Sequence, residues 1–116
     1  MNVQMPESGA AKIMGEACKN TALNEVTVYF SNDYDKALVY ITIFSANPQE
    51  QGYGTKAMQF ICQIADIHGY NIVLKPQLGN KERLSKFYQS FGFKYINERE
   101  MFRQHTDQLK TKGMRK

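Results

Sequence analysis

The sequence is short of the features that usually assign a chain at a glance. Among 116 residues it has only two cysteines, Cys18 and Cys62, far apart and each without a neighbouring Cys or His at metal-ligand spacing. That pattern gives neither a disulfide framework nor a metal site, and two free thiols point to a reducing compartment. No apolar run approaches the about 20 residues that cross a bilayer. The first six residues lack both the basic start and the apolar middle of a signal peptide. A soluble, cytoplasmic protein with no membrane partner is expected. Two familiar phosphate loops are also missing, the Walker loop that ends in Gly-Lys-Ser/Thr and the dinucleotide turn Gly-x-Gly-x-x-Gly. Nor do aromatic and basic residues interleave as they do on a platform that stacks nucleobases.

What is present supports one domain, residues 1–116, large enough to bury a core without staples. The net charge of +4 is unevenly placed: residues 1–74 hold four Lys or Arg against seven Asp or Glu, and residues 75–116 hold eleven against four. A basic half can draw in a phosphorylated cofactor, nucleic acid or an acidic partner. The end of the chain, 104–116, reads as a solvated basic tail rather than a nucleic-acid site. A small basic nucleic-acid binder is the weakest of the function classes considered, and it would bind with strong salt dependence.

Residues 1–24 form an N-terminal cover with one short helix over 7–19, whose large apolar side chains are Ile13 and Met14, and with residues 1–5 frayed. Val26, Val28 and Phe30 alternate with polar neighbours, as in a half-exposed strand, and the turn formers at 32–35 fold the chain back. A more continuously apolar strand follows over 37–45. Residues 54–68 place Ala57, Ile61, Ile64 and Ala65 on one helical stripe that also takes in Cys62, and Gly69 ends the helix. Residues 70–74 are a buried strand stopped at Pro76, parallel to the strand before the helix. Asn80 caps a second helix whose face is Leu84, Phe87, Tyr88 and Phe91, up to Gly92; residues 93–96 and 100–103 pair as a hairpin. The expected order is α-β-β-α-β-α-β-β.

The centre of this arrangement is the turn 49–55, Gln-Glu-Gln-Gly-Tyr-Gly-Thr, between strand and helix. The first amides of a helix have no carbonyl partner and lie at the positive end of its dipole, so they attract an anion such as a pyrophosphate. Gly52 and Gly54 let the ligand approach the backbone. The pattern is loose by itself; strand before and helix after give it weight.

With a second landmark, Phe87-Tyr88-x-x-x-Gly92-Phe93, the sequence resembles the GNAT superfamily of N-acetyltransferases over residues 37–103. The turn Gln49-x-x-Gly52-x-Gly54-Thr55 is similar to its cofactor loop. The resemblance implies an α/β (α+β) GNAT-like fold, with a mixed central sheet flanked by helices and truncated N-terminal elements. It implies acetyl-CoA as cofactor, held by backbone at Phe44 and Ala46 along its pantetheine arm, with Gln49 in the motif and the amides of Gln51, Gly52, Tyr53, Gly54 and Thr55 at the pyrophosphate. Asn80 lies one residue from the family's usual pantetheine-contacting Asn. Tyr88 matches the tyrosine that protonates the departing thiolate. The reaction implied is direct attack by a primary amine on the thioester.

The bland readings stand beside these. Tyr88 lies on an apolar stripe and by pattern is a core aromatic; the two glycines could only end a strand and open a helix; His68 suits a helix C-terminus; His105 belongs to the tail. Three departures matter. Gln51 stands where Arg is common in the family, and Leu38 stands where histone-type members carry a general base. No base is identified among Glu25, Tyr29, Asp33, Asp35, Tyr40 and Thr42. The third is the shortened front end, which should leave the acceptor face open to a protein lysine or N-terminus, or to a second subunit of a homodimer. The alternative is a catalytically inactive GNAT-fold module that binds CoA or a partner protein.

Overall fold

The computed structural model describes residues 1–33, 37–46, 52–76 and 81–106. The elements run β1 (Asn2–Gln4), α1 (Ala10–Lys19), β2 (Val26–Asn32), β3 (Leu38–Ala46), α2 (Tyr53–His68), β4 (Asn71–Leu74), α3 (Lys81–Gln89), β5 (Lys94–Tyr95) and β6 (Met101–Arg103). Six strands make one mixed sheet in the order β1-β2-β3-β4-β6-β5. β3 and β4 are parallel, joined through α2, and β4, β6 and β5 are successively antiparallel. Among the described residues no helix is long and apolar enough to cross a membrane.

The main difference from the sequence reading is at the start. Residues 1–5 are not frayed: β1 pairs in parallel with β2, Met1 is buried, and its ammonium donates to the carbonyl of Thr21. Backbone pairing orders a segment whose side chains carry no strand pattern. The helix is shorter than expected and its face is shifted: Met14 is buried as read, but Ala10, Ala11, Gly15 and Cys18 join it inward while Ile13 is 43% exposed. Small residues win that face because α1 lies close against its neighbours; a Cβ at Gly15 would meet Met5 side-chain atoms at 2.2–2.9 Å. Asn32, taken as a turn former, ends β2 and serves α1 instead, accepting from the Ala11 amide at 2.9 Å and donating to the Ser8 carbonyl at 2.8 Å. The rest of that turn lies partly outside the described residues. The C-terminal elements are shorter than expected: α3 stops at Gln89, so Phe91 sits in the following turn, and the hairpin strands shrink to Lys94–Tyr95 and Met101–Arg103.

All three helices cover the same face of the sheet. Met14 and Cys18 of α1, Met58 and Ile61 of α2 and Tyr88 of α3 share one cluster with Val39, Ile41, Ile72, Leu74 and Met101. Cys18 and Cys62 are core residues, and burial pushes their thiols up to about 12 and about 11. A buried ion pair ties the layers together. Arg103, 8% exposed, donates to both oxygens of Asp66 at 2.8 and 2.9 Å and to the Phe91 carbonyl at 2.8 Å. Asp66 also accepts from the Thr106 amide at 3.0 Å. Burial alone would raise the Asp66 carboxyl, but Arg103 and that amide hold it below its usual range. His105, read as tail, is held by its amide to Asn71 at 2.8 Å.

Candidate functional site

β3 is paired from Val39 to Ala46 on one side, with one bulged residue, and only over its first half on the other. Its rungs with β4 end at Ile41 and Leu74, whereas its rungs with β2 continue to Ala46 and Val26. Among the described residues, no strand pairs with the other edge of residues 42–46. A bulge marks the change: Phe30 faces Ile41 while Tyr29 faces Ile43, so Thr42 is an extra residue. Before it Val39 and Ile41 point toward the helices; after it Phe44 and Ala46 do.

That unpaired end opens a pocket of about 220 Å³ on the helix side. One wall is β3, through Phe44, Ser45 and Ala46; another is the start of α2, through Gly52, Gly54 and Thr55; the third is α3, through Arg83, Leu84, Phe87 and Tyr88. Phe44 and Phe87 stack with centroids 6.5 Å apart, and Phe87 meets Tyr88 edge-on at 5.2 Å, giving the pocket an aromatic side. The volume is below the about 300–1,000 Å³ of sites that enclose a whole drug-sized ligand, so it suits an extended arm rather than an entire nucleotide.

The two glycines do different work. Gly52 has φ 86°, the left-handed conformation that most side chains resist, and it starts α2 with no side-chain cap. The first amides of α2 are thereby left for a ligand. Gly54 sits inside the helix, where its need is for space. A Cβ there would lie 3.8 Å from Ala46 Cβ, Phe44 Cε2 and Phe87 Cζ, in ordinary contact, but a longer side chain would enter the pocket.

Tyr88 is 5% exposed and lines the pocket. Burial pushes its phenol up to about 12, so it holds its proton at neutral pH. Its hydroxyl has no hydrogen-bond partner among the described residues. It is therefore a core aromatic by packing and a free donor by position.

The structure thus brings Phe44, Ala46, Gly52, Gly54, Thr55 and Tyr88 around one pocket. Tyr53 does not line it; its side chain packs partly buried against the core. Gln49, Gln51 and Asn80 lie outside the described residues. Sequence reasoning missed Arg83, a cation at the pocket wall that could face a phosphate, because an exposed arginine in a helix carries no signal. Leu38, on the first rung with Asn71, offers no carboxylate. Of the groups considered as support for a base, Thr42 donates to the Tyr29 carbonyl at 3.3 Å and Tyr40 donates to Glu100. His68 stacks on Tyr70. No group of three or more His, Cys, Asp or Glu among the described residues is placed to hold a metal ion.

An uncapped helix start, an unpaired strand edge, a glycine whose missing side chain keeps the cavity open and a nearby arginine together suit a ligand with an extended arm and an anionic end. Comparisons with known proteins bear on the fold alone. No family model and no curated protein sequence matches the chain. One solved structure that it resembles is Ard1 from Thermoplasma volcanium, an N-acetyltransferase of the GNAT type, with a TM-score of 0.56 at 17% identity over 68% of this chain. The match spans 62% of the Ard1 chain. The fold is accordingly a mixed α/β one, a six-stranded mixed sheet flanked by helices, of the GNAT-like kind.

Proposed function

We propose that the protein is an N-acetyltransferase that moves an acetyl group from acetyl-CoA to a primary amine, that of a protein lysine or N-terminus. The observation that carries this reading is the meeting, in one pocket, of the unpaired end of β3, the uncapped start of α2 and the buried Tyr88. The likeness of fold to an acetyltransferase supports it. Acetyl-CoA supplies an activated acyl group as a thioester. The free edge of β3 would hold the pantetheine arm by backbone hydrogen bonds, the α2 amides and Arg83 would receive the phosphates, and Phe44 and Phe87 would exclude water. Attack by the neutral amine forms the C–N bond and breaks the C–S bond. The amine nitrogen gives up its proton to solvent, and Tyr88, which holds its proton at neutral pH, would give it to the departing thiolate and regain one from solvent.

Calorimetric titration with acetyl-CoA tests the reading. Micromolar binding, about −8 kcal/mol, is expected for the wild type. Gly54→Ala should bind less tightly, and Gly54→Glu should not bind while keeping its melting temperature. No wild-type binding at millimolar acetyl-CoA would overturn the reading. Binding without release of free thiol in the presence of an amine acceptor would favour an inactive module.

A further inference from the structure

The face of the sheet that no described helix covers carries a second constellation, at the point where β3 and β4 part. Side chains alternate along a strand, so Tyr40, Val73 and Phe102, which share one rung across β3, β4 and β6, lie opposite the core positions Val39, Ile41, Ile72 and Leu74. Glu100 precedes Met101, whose partner is Leu74, the last residue of β4; it therefore stands just past the last rung joining β3 and β4, on the same open face as Phe102. Tyr40 reaches across β4 and donates its hydroxyl to one oxygen of Glu100, and Asn97 donates to the other at 2.8 Å. Beside them Tyr29 and Ile43, directly paired, are 38% and 39% exposed, an apolar surface without cover among the described residues.

The geometry points to this face as the subsite for the acceptor: Glu100, oriented by Tyr40 and Asn97, receives the ammonium of an aliphatic primary amine whose methylene stem lies on Tyr29 and Ile43. The inference rests on the acetyltransferase reading, and it selects an acceptor of the lysine ε-amine type. Three observations converge on it. Beyond Ile41 and Leu74, β3 and β4 share no rung, so the proposed thioester pocket on one face and Glu100 on the other flank the same gap. The carboxylate is partly exposed, and its neighbours stabilise the charged form: Tyr40 and Asn97 by hydrogen bonds, Lys75 by its charge, all of which hold Glu100 below its usual range. A carboxylate so held is a poor base, so Glu100 acts by holding the cation while the amine proton leaves to water on the open face. Finally, a negative head beside an apolar floor matches the two ends of a lysine side chain.

The test uses the full chain, acetyl-CoA and Nα-acetyl-lysine methylamide, which has one free amine. Glu100→Gln should raise the KM for this amine about 10-fold or more and leave the calorimetric affinity for acetyl-CoA unchanged. Glu100→Asp should restore much of the loss, and n-butylamine should compete with the acceptor in the wild type and far less in Glu100→Gln. Unchanged amine KM in a folded Glu100→Gln, with acetyl-CoA still bound, would overturn this subsite alone. Wild-type protein that binds acetyl-CoA yet does not acetylate the lysine probe would also overturn it. Absence of acetyl-CoA binding would overturn it together with the acetyltransferase reading.

Discussion

The two ends of β3 belong to one strand and have opposite fates. Residues 39–41 are paired on both sides, and Val39 and Ile41 are buried in the core. Residues 42–46 keep only β2, and Phe44, Ser45 and Ala46 line the pocket. The first half satisfies its backbone within the sheet, and the second leaves one edge without a strand partner among the described residues. A site can be made by withdrawing a partner strand, with the bulge at Thr42 turning Phe44 and Ala46 toward the helices at the place where pairing stops.

On this contrast, changes near the anchored end should cost stability and changes at the free end should cost binding or rate. The largest effect is expected from Asp66→Asn, which leaves buried Arg103 without its counter-charge and should destabilise by about 4 kcal/mol in urea unfolding. Its pH dependence has a defined sign. The folded carboxyl is depressed, so its contribution is present above the unfolded value of about 3.9 and is lost as pH falls through the folded value. The wild type should therefore lose stability on acidification below that point, and the variant should lose less. Next is Ile41→Ala on the last rung with β4, expected to cost about 3 kcal/mol while the folded protein binds acetyl-CoA as before.

Across the bulge the expectation reverses. Tyr88→Phe should lower kcat about 100-fold with an unchanged melting temperature, since the hydroxyl it removes has no partner among the described residues. An unchanged rate would return Tyr88 to a packing role. The smallest effect is expected from Arg83→Ala, about 10-fold weaker acetyl-CoA binding, or roughly 1.4 kcal/mol, shrinking as salt screens the phosphates. Stability loss in either variant, or cofactor loss in Ile41→Ala, would blur the division.

Much of this was legible in the chain. The long helix after the glycine turn, the parallel partner strand and the final hairpin follow from apolar periodicity and from Gly69 and Pro76. Tyr88 was visible as both a core aromatic and a motif tyrosine; its burial bears out the first description, and its place beside the pocket leaves the second to the rate measurement. The misses share a cause. β1 is held by backbone hydrogen bonds that any sequence can make, α1 buries small residues because of what packs against it, and Asn32 looks like a turn former because its amide suits a turn and a distant helix end equally.

The sequence alone determined the elements from α1 onward and the glycine start of α2, because helix stripes, strand runs and glycines act over a few neighbouring residues. Only the tertiary structure decided where β4 stops alongside β3, that Arg83 faces the pocket and that Tyr40 meets Glu100 sixty positions away. Those facts depend on register between segments remote in the chain, which no local pattern encodes.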